Sequence, residues 1–479
     1  MGLIGRGRGG GRQAVTSERV LEALRQVEDP DLRRDIVALG FVKNLTVQDG
    51  DVRFDVELTT PACPVKQELR EKCEQVVSSL DGVRSVAVRM TAQVRSSIAQ
   101  LGEGLLGVKN AIAVASGKGG VGKSTTAVNL ALGLVASGAR VGLLDADLYG
   151  PSVPTMLGVH RSPQVSGEGR VLPIEKHGLK LMSMGFVAGP DMPVILRGPM
   201  VTNVLRQFLG QVDWGELDYL VIDLPPGTGD TQLTLTQSAS LSGAVIVTTP
   251  QEISLIDARK AIGMFVKVNV PILGIIENMS YFECARCGER THVFGKEGGR
   301  LTAEKLGVPF LGAIPIDPRL VEVCDQGDSF FGRYGDTPTA GALRQIAAEV
   351  ARHLSVLAAT PSAVEAMAPN ATPRVAANAA GRFPVRRLEV LDGGRLRILW
   401  DDGRESVLES AFLRAQCGCA ACVDEMSGER RIRERDIAPD VRPVRIEPVG
   451  NYAVSIAWSD GHATGIYPFE RLREMAPPG

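Results

Sequence analysis

The sequence has 479 residues, of which 44% are hydrophobic and 23% are charged, and 53 Lys and Arg against 55 Asp and Glu give a formal net charge of -2. This composition excludes wholesale disorder, and the length predicts about three domains. The balanced charge provides no overall basic field, so we expect neither nucleic acid nor a membrane as a partner, although a local basic patch stays open.

The sequence also bears on the compartment. No window reaches about 18 consecutive apolar residues, which argues against a membrane-spanning helix. The N-terminus lacks the apolar stretch of a signal peptide. Eight cysteines are too few for a disulfide framework, and five lie in two clusters, Cys284/Cys287 and Cys417/Cys419/Cys422. We therefore predict a cytoplasmic protein with metal or redox chemistry at the clusters.

The first region is predicted to be a small α+β domain over residues 17–95, preceded by a flexible Gly/Arg tail at 1–16 and followed by a linker at 96–108. Apolar residues at helical spacing indicate a helix near Val20. Residues 52–58 alternate with period 2, a second helix is predicted at about 65–80, and another strand at 83–90.

Three short motifs mark this region: Glu28-Asp29-Pro30-Asp31, Asp35-Ile36-Val37 and Thr59-Thr60-Pro61-Ala62-Cys63-Pro64. On these motifs the region resembles the SufT/PaaD-like domains that are associated with metal–sulfur cluster assembly. Cys63 lies in a loop that opens a helix, where backbone N–H groups are expected to lower its pKa and expose a reactive thiolate. Such a thiolate would hold iron or a cluster transiently; the alternative is a packing thiol.

The largest region, residues 109–357, alternates short apolar runs with helical stretches. The predicted strands are 111–115, 141–144, 219–222, 244–248, 272–276 and 310–314. Buried strands alternating with helices are typical of βαβ units. We therefore predict an α/β fold in which a doubly wound, mostly parallel sheet is covered on both faces.

One run in this region matches the phosphate-binding pattern G-x-x-x-x-G-K-[ST]. It reads Gly117-Lys118-Gly119-Gly120-Val121-Gly122-Lys123-Ser124 and lies between an apolar strand and a helix that continues from Thr125. Backbone N–H groups freed by the glycines can wrap a phosphate at the helix N-terminus. Lys123 would neutralise phosphate charge, and the Ser124 hydroxyl would ligate Mg²⁺. The run therefore predicts a nucleotide site.

A second lysine and three carboxylates extend this site. Lys118 gives the loop a resemblance to the deviant Walker loop of ParA/MinD ATPases, which implies that it reaches the partner's nucleotide across a dimer; a solvated lysine is the alternative. Asp145 and Asp147 end one strand, and Asp223 ends a Walker-B-like strand, where it can hold Mg²⁺ through water. Solvated strand-end acids are the alternative for Asp145 and Asp147.

Three further motifs of this region, in this order along the chain, indicate a known family. They are Asp145-Ala146-Asp147-Leu148-Tyr149-Gly150-Pro151-Ser152, Asp223-Leu224-Pro225-Pro226-Gly227-Thr228-Gly229-Asp230 and Glu277-Asn278-Met279-Ser280. The region resembles the Mrp/ApbC iron–sulfur cluster carriers. The resemblance implies that Asp147 orients the attacking water, that Asp145 lies on the metal side, and that Asn278 hydrogen-bonds the adenine; a turn-forming Asn is the alternative.

The first cysteine cluster, Cys284-Ala285-Arg286-Cys287, follows Asn278 closely. Two thiolates cannot complete a tetrahedral zinc site or a four-cysteine cluster site, whereas a symmetric dimer supplies two more. We therefore infer a 4Fe–4S cluster that bridges two subunits, as the resemblance also implies. A zinc knuckle shared across the dimer, a dithiol redox pair and inert cysteines are the alternatives.

An Ala/Pro/Asn-rich linker at 358–382 leads to a small β-rich domain at 383–475. Two segments in it, 398–403 and 456–461, are each a predicted strand that ends in an Asp-Gly turn. Cys417, Cys419, Cys422 and His462 form a Cys₃His set that suits structural Zn²⁺. The domain resembles the N-terminal domain of gamma-butyrobetaine hydroxylase-like proteins. An iron–sulfur site, or an incomplete site without His462, is the alternative.

Together these features predict an ATP-dependent iron–sulfur cluster carrier. It would bind MgATP, hydrolyse it slowly, form a homodimer, and pass its cluster to apo iron–sulfur proteins or assembly factors. The alternatives are a ParA/MinD-like positioning ATPase, an ATP-driven electron donor, and a scaffold with vestigial ATPase activity.

Overall fold

The structure is a computed structural model of the chain. It describes residues 15–96, 105, 107–147, 150–167, 169–186, 204–205, 207–227, 232, 236, 239–284, 286–359, 385–391, 395–400, 402–419, 422–423, 429–438, 440–449, 453–462 and 464–475. The tail predicted at 1–16 and the linker predicted at 358–382 lie mostly outside these residues. No helix within these ranges is long and apolar enough to cross a membrane.

The N-terminal region forms an α+β unit. Its elements are α1 (Ser17–Leu24), β1 (Glu28–Asp29), β2 (Arg34–Asp35), β3 (Val42–Gln48), β4 (Asp51–Leu58), α2 (Lys66–Ser78) and β5 (Ser85–Ala92). Strands β3, β4 and β5 form one sheet in that order, with β3 antiparallel and β5 parallel to β4. Both helices bury apolar residues at i, i+4 spacing, Val20 with Leu24 and Leu69 with Cys73.

An eight-stranded sheet organises the central region, in the order β10-β11-β7-β12-β6-β13-β14-β17. The strands are β6 (Ala111–Ala115), β7 (Val141–Asp145), β10 (Ile174–Lys176), β11 (Leu179–Ser183), β12 (Tyr219–Asp223), β13 (Gly243–Thr248), β14 (Ile272–Glu277) and β17 (Phe310–Ala313), with minor pairs β8 (Gln164–Val165)/β9 (Val171–Leu172) and β15 (Phe282–Glu283)/β16 (Arg290–Thr291). All main-sheet neighbours run parallel except β10 and β11.

Helices cover both faces of this sheet. They are α3 (Lys123–Ala136), α4 (Val153–Met156), α5 (Glu252–Lys267), α6 (Gly298–Leu306), α7 (Pro318–Gln326), α8 (Phe330–Tyr334) and α9 (Pro338–Ala359). Helices α3 and α9 pack into one apolar cluster, and α5 packs into a second cluster. The predicted doubly wound α/β fold is confirmed. Because parallel strands end at one edge, the loops after β6, β7, β12 and β14 meet there.

The C-terminal region repeats one small unit twice. Its elements are β18 (Val385–Val390), β19 (Leu396–Trp400), β20 (Glu405–Leu408), α10 (Ser410–Ala415), β21 (Pro443–Val449), β22 (Ala453–Trp458), β23 (Gly465–Pro468) and α11 (Phe469–Glu474). Each unit is a three-stranded antiparallel sheet followed by a short helix. Each Asp-Gly turn joins the last two strands with a glycine at φ +83°. Trp400 and Trp458 are buried in one shared core.

The N-terminal region contacts the central one at the edge opposite the phosphate loop. The hydroxyl of Tyr219, the first residue of β12, donates to Thr60 Oγ1 at 3.0 Å. Arg352 of α9 pairs with Asp31 at 3.1 Å. Because Asp223 ends the same strand that Tyr219 begins, the Cys63 loop and the phosphate loop lie at opposite ends of the sheet.

Candidate nucleotide, cluster and metal sites

The phosphate loop joins β6 to α3, and two of its glycines are required by close approach. A Cβ on Gly117 would lie 2.2 Å from the Asp257 backbone, and one on Gly122 would lie 2.1 Å from Asn278 Nδ2. Gly120 and Gly122 also have positive φ, at 79° and 80°. A Cβ on Gly119 or Gly120 would meet no heavy atom within 4 Å, so the backbone there is open, as a phosphate cradle requires.

Lys123 and Asp223 form a buried ion pair beneath this loop. Lys123 Nζ lies 2.6 Å from Asp223 Oδ1, and the two side chains are 6% and 0% exposed. Lys123 Nζ also lies 3.2 Å from Ser124 Oγ. The second oxygen, Asp223 Oδ2, is buried without a hydrogen-bond partner in the described residues. A spare carboxylate oxygen near a hydroxyl is a donor set that suits Mg²⁺, so these residues fit the ion.

Asp145 is held by donors of its own chain. Its Oδ2 accepts from Ser183 Oγ at 2.9 Å and from the Val153 N–H at 3.3 Å, and its Oδ1 accepts from the Asp147 N–H at 3.2 Å. Burial raises the pKa of Asp145 to about 7, and the nearby charge of Asp223 adds to the rise. Asp147 is 9% exposed and accepts from the Gly150 N–H. The metal-side role of Asp145 and the water-orienting role of Asp147 stay predictions.

Asn278 and Lys118 both lie at the phosphate loop. Asn278 follows β14 directly, and its Nδ2 donates to the Val121 carbonyl at 2.8 Å. It therefore links the end of β14 to the loop backbone, and its contact with adenine stays a prediction. The Lys118 carbonyl accepts from Ser116 Oγ at 2.9 Å, which fixes the loop start. The reach of the Lys118 amine across a dimer also stays a prediction.

Cys284 and Cys287 occupy the turn of a small hairpin between β15 and β16. The Cys284 N–H donates to the Glu289 carbonyl at 2.9 Å, and the Gly288 N–H donates to the Cys284 carbonyl at 2.8 Å. Cys284 is half-buried and Cys287 is exposed. Hydrogen bonds from the N–H groups of Arg286 and Cys287 lower the pKa of Cys284. The hairpin therefore presents two thiols at the surface, and the ionised form of one of them, Cys284, is favoured by backbone hydrogen bonds.

The described residues add no further ligand to this pair. The one group of three or more His, Cys, Asp or Glu found in them with metal-ligand spacing is in the C-terminal region. The ring of His292 lies 6.2 Å from that of Tyr281, and its Nδ1 contacts the Ser280 carbonyl. One chain thus supplies two thiols, which is half of a four-cysteine set.

In the C-terminal region, four predicted ligands converge. Nε2 of His462 lies 3.2, 3.5 and 3.8 Å from the sulfurs of Cys417, Cys419 and Cys422. Tetrahedral zinc, with Zn–S of about 2.3 Å and Zn–N of about 2.0 Å, places sulfur and nitrogen ligands roughly 3.5 Å apart. The four atoms therefore fit a single metal ion. The ligands of an iron–sulfur cube bind different irons and must lie farther apart.

Two side chains donate hydrogen bonds to the sulfurs of this site. Arg414, 4% exposed, donates to Cys422 Sγ at 3.4 Å and to Asp460 at 2.8 Å. The Thr464 hydroxyl donates to Cys419 Sγ at 3.3 Å. Burial raises the pKa of Cys417 to about 12, so a bound cation is what would keep that sulfur ionised at neutral pH. Arg414 and Thr464 could not be predicted from the sequence, because only the fold brings them to the sulfurs.

We expect Cys422→Ser to destabilise the C-terminal region strongly. Metal binding supplies about 10–16 kcal/mol in small zinc domains, and this region would lose most of it. Limited proteolysis should release the segment after residue 383 in the variant and, after strong chelation, in the wild type. The conservative change Ser455→Ala on β22, which is outside the site, should leave the cleavage pattern unchanged. A chelator-resistant, protease-resistant Cys422→Ser variant would contradict a structural metal.

Cys63 differs from its prediction. Burial raises the pKa of Cys63 to about 11, against the lowering effect of the Val65 N–H, and the nearby carboxylates of Asp29 and Asp31 raise it further. The expected lowering of the pKa is wrong, because the Cys63 side chain is partly buried in a crevice that residues of both regions line, among them Asp31 and Arg352 of α9. The helix N-terminus could be read from the sequence, but the contact between the two regions could not.

The two thiols should therefore label at different rates. At pH 8 Cys284 should react with iodoacetamide at least about tenfold faster than Cys63, since only the thiolate is nucleophilic. The Cys63 rate should continue to rise with pH until about 11. Peptide mass spectrometry of the metal-free full chain measures both rates, and buried Cys73 reports unfolding. A Cys63 rate that levels off below pH 8 would contradict the raised pKa.

Comparison with known proteins places this architecture in a family. A family profile described as "NUBPL iron-transfer P-loop NTPase" matches residues 107–351. The "Iron-sulfur cluster carrier protein" of Synechocystis sp. is 48% identical over 357 residues, which cover 72% of this chain and 99% of the relative. The chain belongs to this family of iron-transfer P-loop NTPases.

Both flanking regions also match known families. The profile "Iron-sulfur cluster assembly protein" matches residues 17–89, and "Gamma-butyrobetaine hydroxylase-like, N-terminal" matches 389–473. The "Fe-S cluster assembly factor HCF101, chloroplastic" of Arabidopsis thaliana is 43% identical over 469 residues, 96% of this chain and 83% of the relative. The three-part resemblance predicted from the motifs is confirmed.

Among solved structures, a nucleotide-binding protein from Archaeoglobus fulgidus in complex with ADP is 45% identical to this iron-transfer NTPase. That match covers 46% of this chain and 87% of the other, with a TM-score of 0.42.

Within this iron-transfer NTPase, one site residue went unnoticed in the sequence. Glu277, 1% exposed, accepts from the Gly299 N–H at 2.6 Å and from the Ser280 hydroxyl. It fixes the turn between Asn278 and the cysteine hairpin. Its place in the Glu-Asn-Met-Ser motif was the signal in the sequence. The hydrogen-bond partners of a buried carboxylate, however, can be identified only when the fold is known.

Proposed function

We propose that this chain carries an iron–sulfur cluster and delivers it to apo-proteins under the control of ATP. The observation that carries the proposal is the surface hairpin that holds Cys284 and Cys287, in which Cys284 lies six residues after Asn278 at the phosphate loop. Family membership supports it, since the Synechocystis relative is named an iron–sulfur cluster carrier protein. Thiolates held near the surface suit a cargo that must leave again.

The proposed cargo is one 4Fe–4S cluster shared by two copies of the chain. Four thiolates hold such a cluster, and each copy offers Cys284 and Cys287. A two-fold axis through the cluster would bring the same hairpin from each copy to one place. The apolar side chains of Phe282, Val293 and Phe294 are 38%, 55% and 36% exposed beside the hairpin. Burying them between copies would help to hold the dimer.

The proposed nucleotide is MgATP. The backbone of residues 117–125 would wrap the phosphates, Lys123 would neutralise their charge, and Asn278 would hydrogen-bond the adenine, with Lys118 reaching the partner's nucleotide. Ser124 and Asp223 would hold Mg²⁺, which supplies charge neutralisation when it is bound. The spare Oδ2 of Asp223 supports this assignment.

Hydrolysis would change the surroundings of the cluster. Asp147 would orient the attacking water, while Asp145 would act from the metal side. Phosphate at the loop would compete with Asp223 for Lys123, so binding and release of nucleotide would rearrange a pair at the end of β12. Asn278 and Glu277 connect the loop to the hairpin, and this connection would alter how tightly the thiolates hold the cluster.

The C-terminal metal, the compartment and the partners can also be proposed. We propose Zn²⁺ for the Cys₃His site, in a structural role, on the single-ion spacing of its ligands. We propose the cytoplasm as the compartment, because a reducing environment keeps surface cysteines such as Cys284 and Cys287 in the thiol form that cluster binding requires. The proposed partners are apo iron–sulfur proteins and assembly factors.

A transfer assay tests the proposed function. The full chain is reconstituted anaerobically with iron and sulfide, desalted, and mixed with an apo-dehydratase that needs a 4Fe–4S cluster. We expect activity of the acceptor to return in the presence of excess chelator, and faster than with free iron and sulfide. Activation that the chelator abolishes would contradict direct transfer.

A further inference from the structure

A groove on the N-terminal region lies between helix α2 and strand β5. It has a volume of about 540 Å³, within the range of roughly 300–1,000 Å³ that is usual for binding sites. Its lining residues are Cys63, Pro64, Lys66, Gln67, Arg70, Val88, Arg89 and Met90. None of the functions proposed above uses this groove.

The charge of the groove has one sign. Its lining contains Lys66, Arg70 and Arg89 and no carboxylate. Arg89 pairs with Asp55 through Nε and Nη2, and Arg70 pairs with Glu74 at 2.8 Å, yet the side chains of Arg89 and Arg70 are 73% and 47% exposed. Both side chains therefore keep contact with solvent beside Lys66, and the cations of the lining favour an acidic occupant.

The wall of the groove is an open sheet edge. Strand β5 pairs with β4 along all eight of its residues, and no described strand pairs with its other side. Natural edge strands are usually short, or are protected by proline or several charges. This strand has eight residues, no proline and one charged residue, Arg89. Its free backbone groups can pair with an added strand.

We propose that this groove binds an extended acidic peptide of a partner protein, which adds to β5 as a further strand beside α2. Backbone hydrogen bonds to the free edge would supply affinity, and Lys66, Arg70 and Arg89 would select carboxylates. The Cys63 side chain is part of the groove lining, so a docked partner would lie beside it. This binding does not depend on the cluster or on ATP.

The test uses the full chain and fluorescein-labelled hexapeptides in anisotropy titrations. The probe alternates Glu and Val, a second peptide has Lys in place of Glu, and two more carry N-methyl groups on the odd or on the even residues. We expect the Lys peptide to bind at least about tenfold more weakly than the probe. One N-methylated peptide should lose binding and the other should keep it. In an added strand, only the backbone N–H groups of alternate residues face the sheet and donate hydrogen bonds to it.

Variants locate the site. The double variant Lys66→Glu/Arg70→Gln should lower the affinity for the probe by about tenfold. Lys72→Gln, on the same helix but outside the groove, should leave this affinity unchanged. Circular dichroism checks that the variants fold. The comparison of the four peptides needs only the wild-type chain, so it tests the proposal even if a variant does not fold. Absence of binding at about 1 mM probe, or equal binding of both N-methylated peptides, would overturn the proposal. Tight binding of the Lys peptide would also overturn it.

Discussion

Replacing one hairpin cysteine, as in Cys287→Ser, should leave the reconstituted chain without its bridging cluster. Two copies would then offer two thiolates, one Cys284 from each, instead of four. The other six cysteines of each chain are outside the hairpin. We expect iron and sulfide per chain to fall to background, together with the visible absorption of the cluster. Acceptor activation should fall with them.

The matched control is Cys324→Ser. Cys324 is half-buried on α7, outside the hairpin, and burial raises the pKa of its thiol. This variant should keep wild-type iron and sulfide. A Cys287→Ser chain that retains a full cluster would show that other ligands hold it, and would contradict the proposed site.

Removing the loop lysine, as in Lys123→Ala, should impair both nucleotide binding and stability. ATP affinity should fall at least about 100-fold, because a charged hydrogen-bonding group to phosphate is lost. The free energy of unfolding should fall by about 3–5 kcal/mol, because Asp223 is left as an unpaired buried charge. Isothermal titration calorimetry and urea unfolding measure the two effects.

The pH dependence and a double variant separate these effects. Burial raises the pKa of Asp223, so the folded state favours the protonated acid, and the stability deficit of Lys123→Ala should shrink as the pH falls. Lys123→Met/Asp223→Leu removes both charges and should recover stability but not ATP binding. A Lys123→Ala chain with wild-type cluster transfer would contradict coupling to nucleotide.

Much of the central fold follows from short-range sequence features. The apolar run at 111–115 is the strand Ala111–Ala115, and the other predicted strands differ by one residue at an end. Fully buried parallel strands produce continuous apolar runs, which are easy to delimit. The edge strand β10 and its neighbour β11 were not predicted, because Glu175, Lys176 and Lys180 interrupt their short apolar runs.

The same distinction between short-range and long-range features applies to the sites. The phosphate loop and the Cys₃His ligands could be predicted, because their residue types and spacing carry the chemistry. Ser183, Arg414 and the crevice around Cys63 could not, because they depend on contacts between distant segments. The error over Cys63 is of this kind: a local helix N-terminus predicted a lowered pKa, and burial in the crevice between the two regions raises the pKa instead.

The two thiol regions also lie far apart in one chain. Cys63 sits at the edge where β12 begins, next to Thr60 and Tyr219, whereas the Cys284 hairpin follows β14 at the opposite edge. Thiols exchange a cluster only in direct contact. Exchange between Cys63 and Cys284 would therefore require either release of the Thr60 and Asp31 contacts or a second copy of the chain.

The shared cluster is tested most directly by anaerobic native mass spectrometry of the reconstituted full chain. The account predicts a species of two chains that carries a single set of four irons and four sulfides. The Cys287→Ser chain should lack this species. A monomer that carries the cluster alone, or two chains with one complete cluster each, would contradict it.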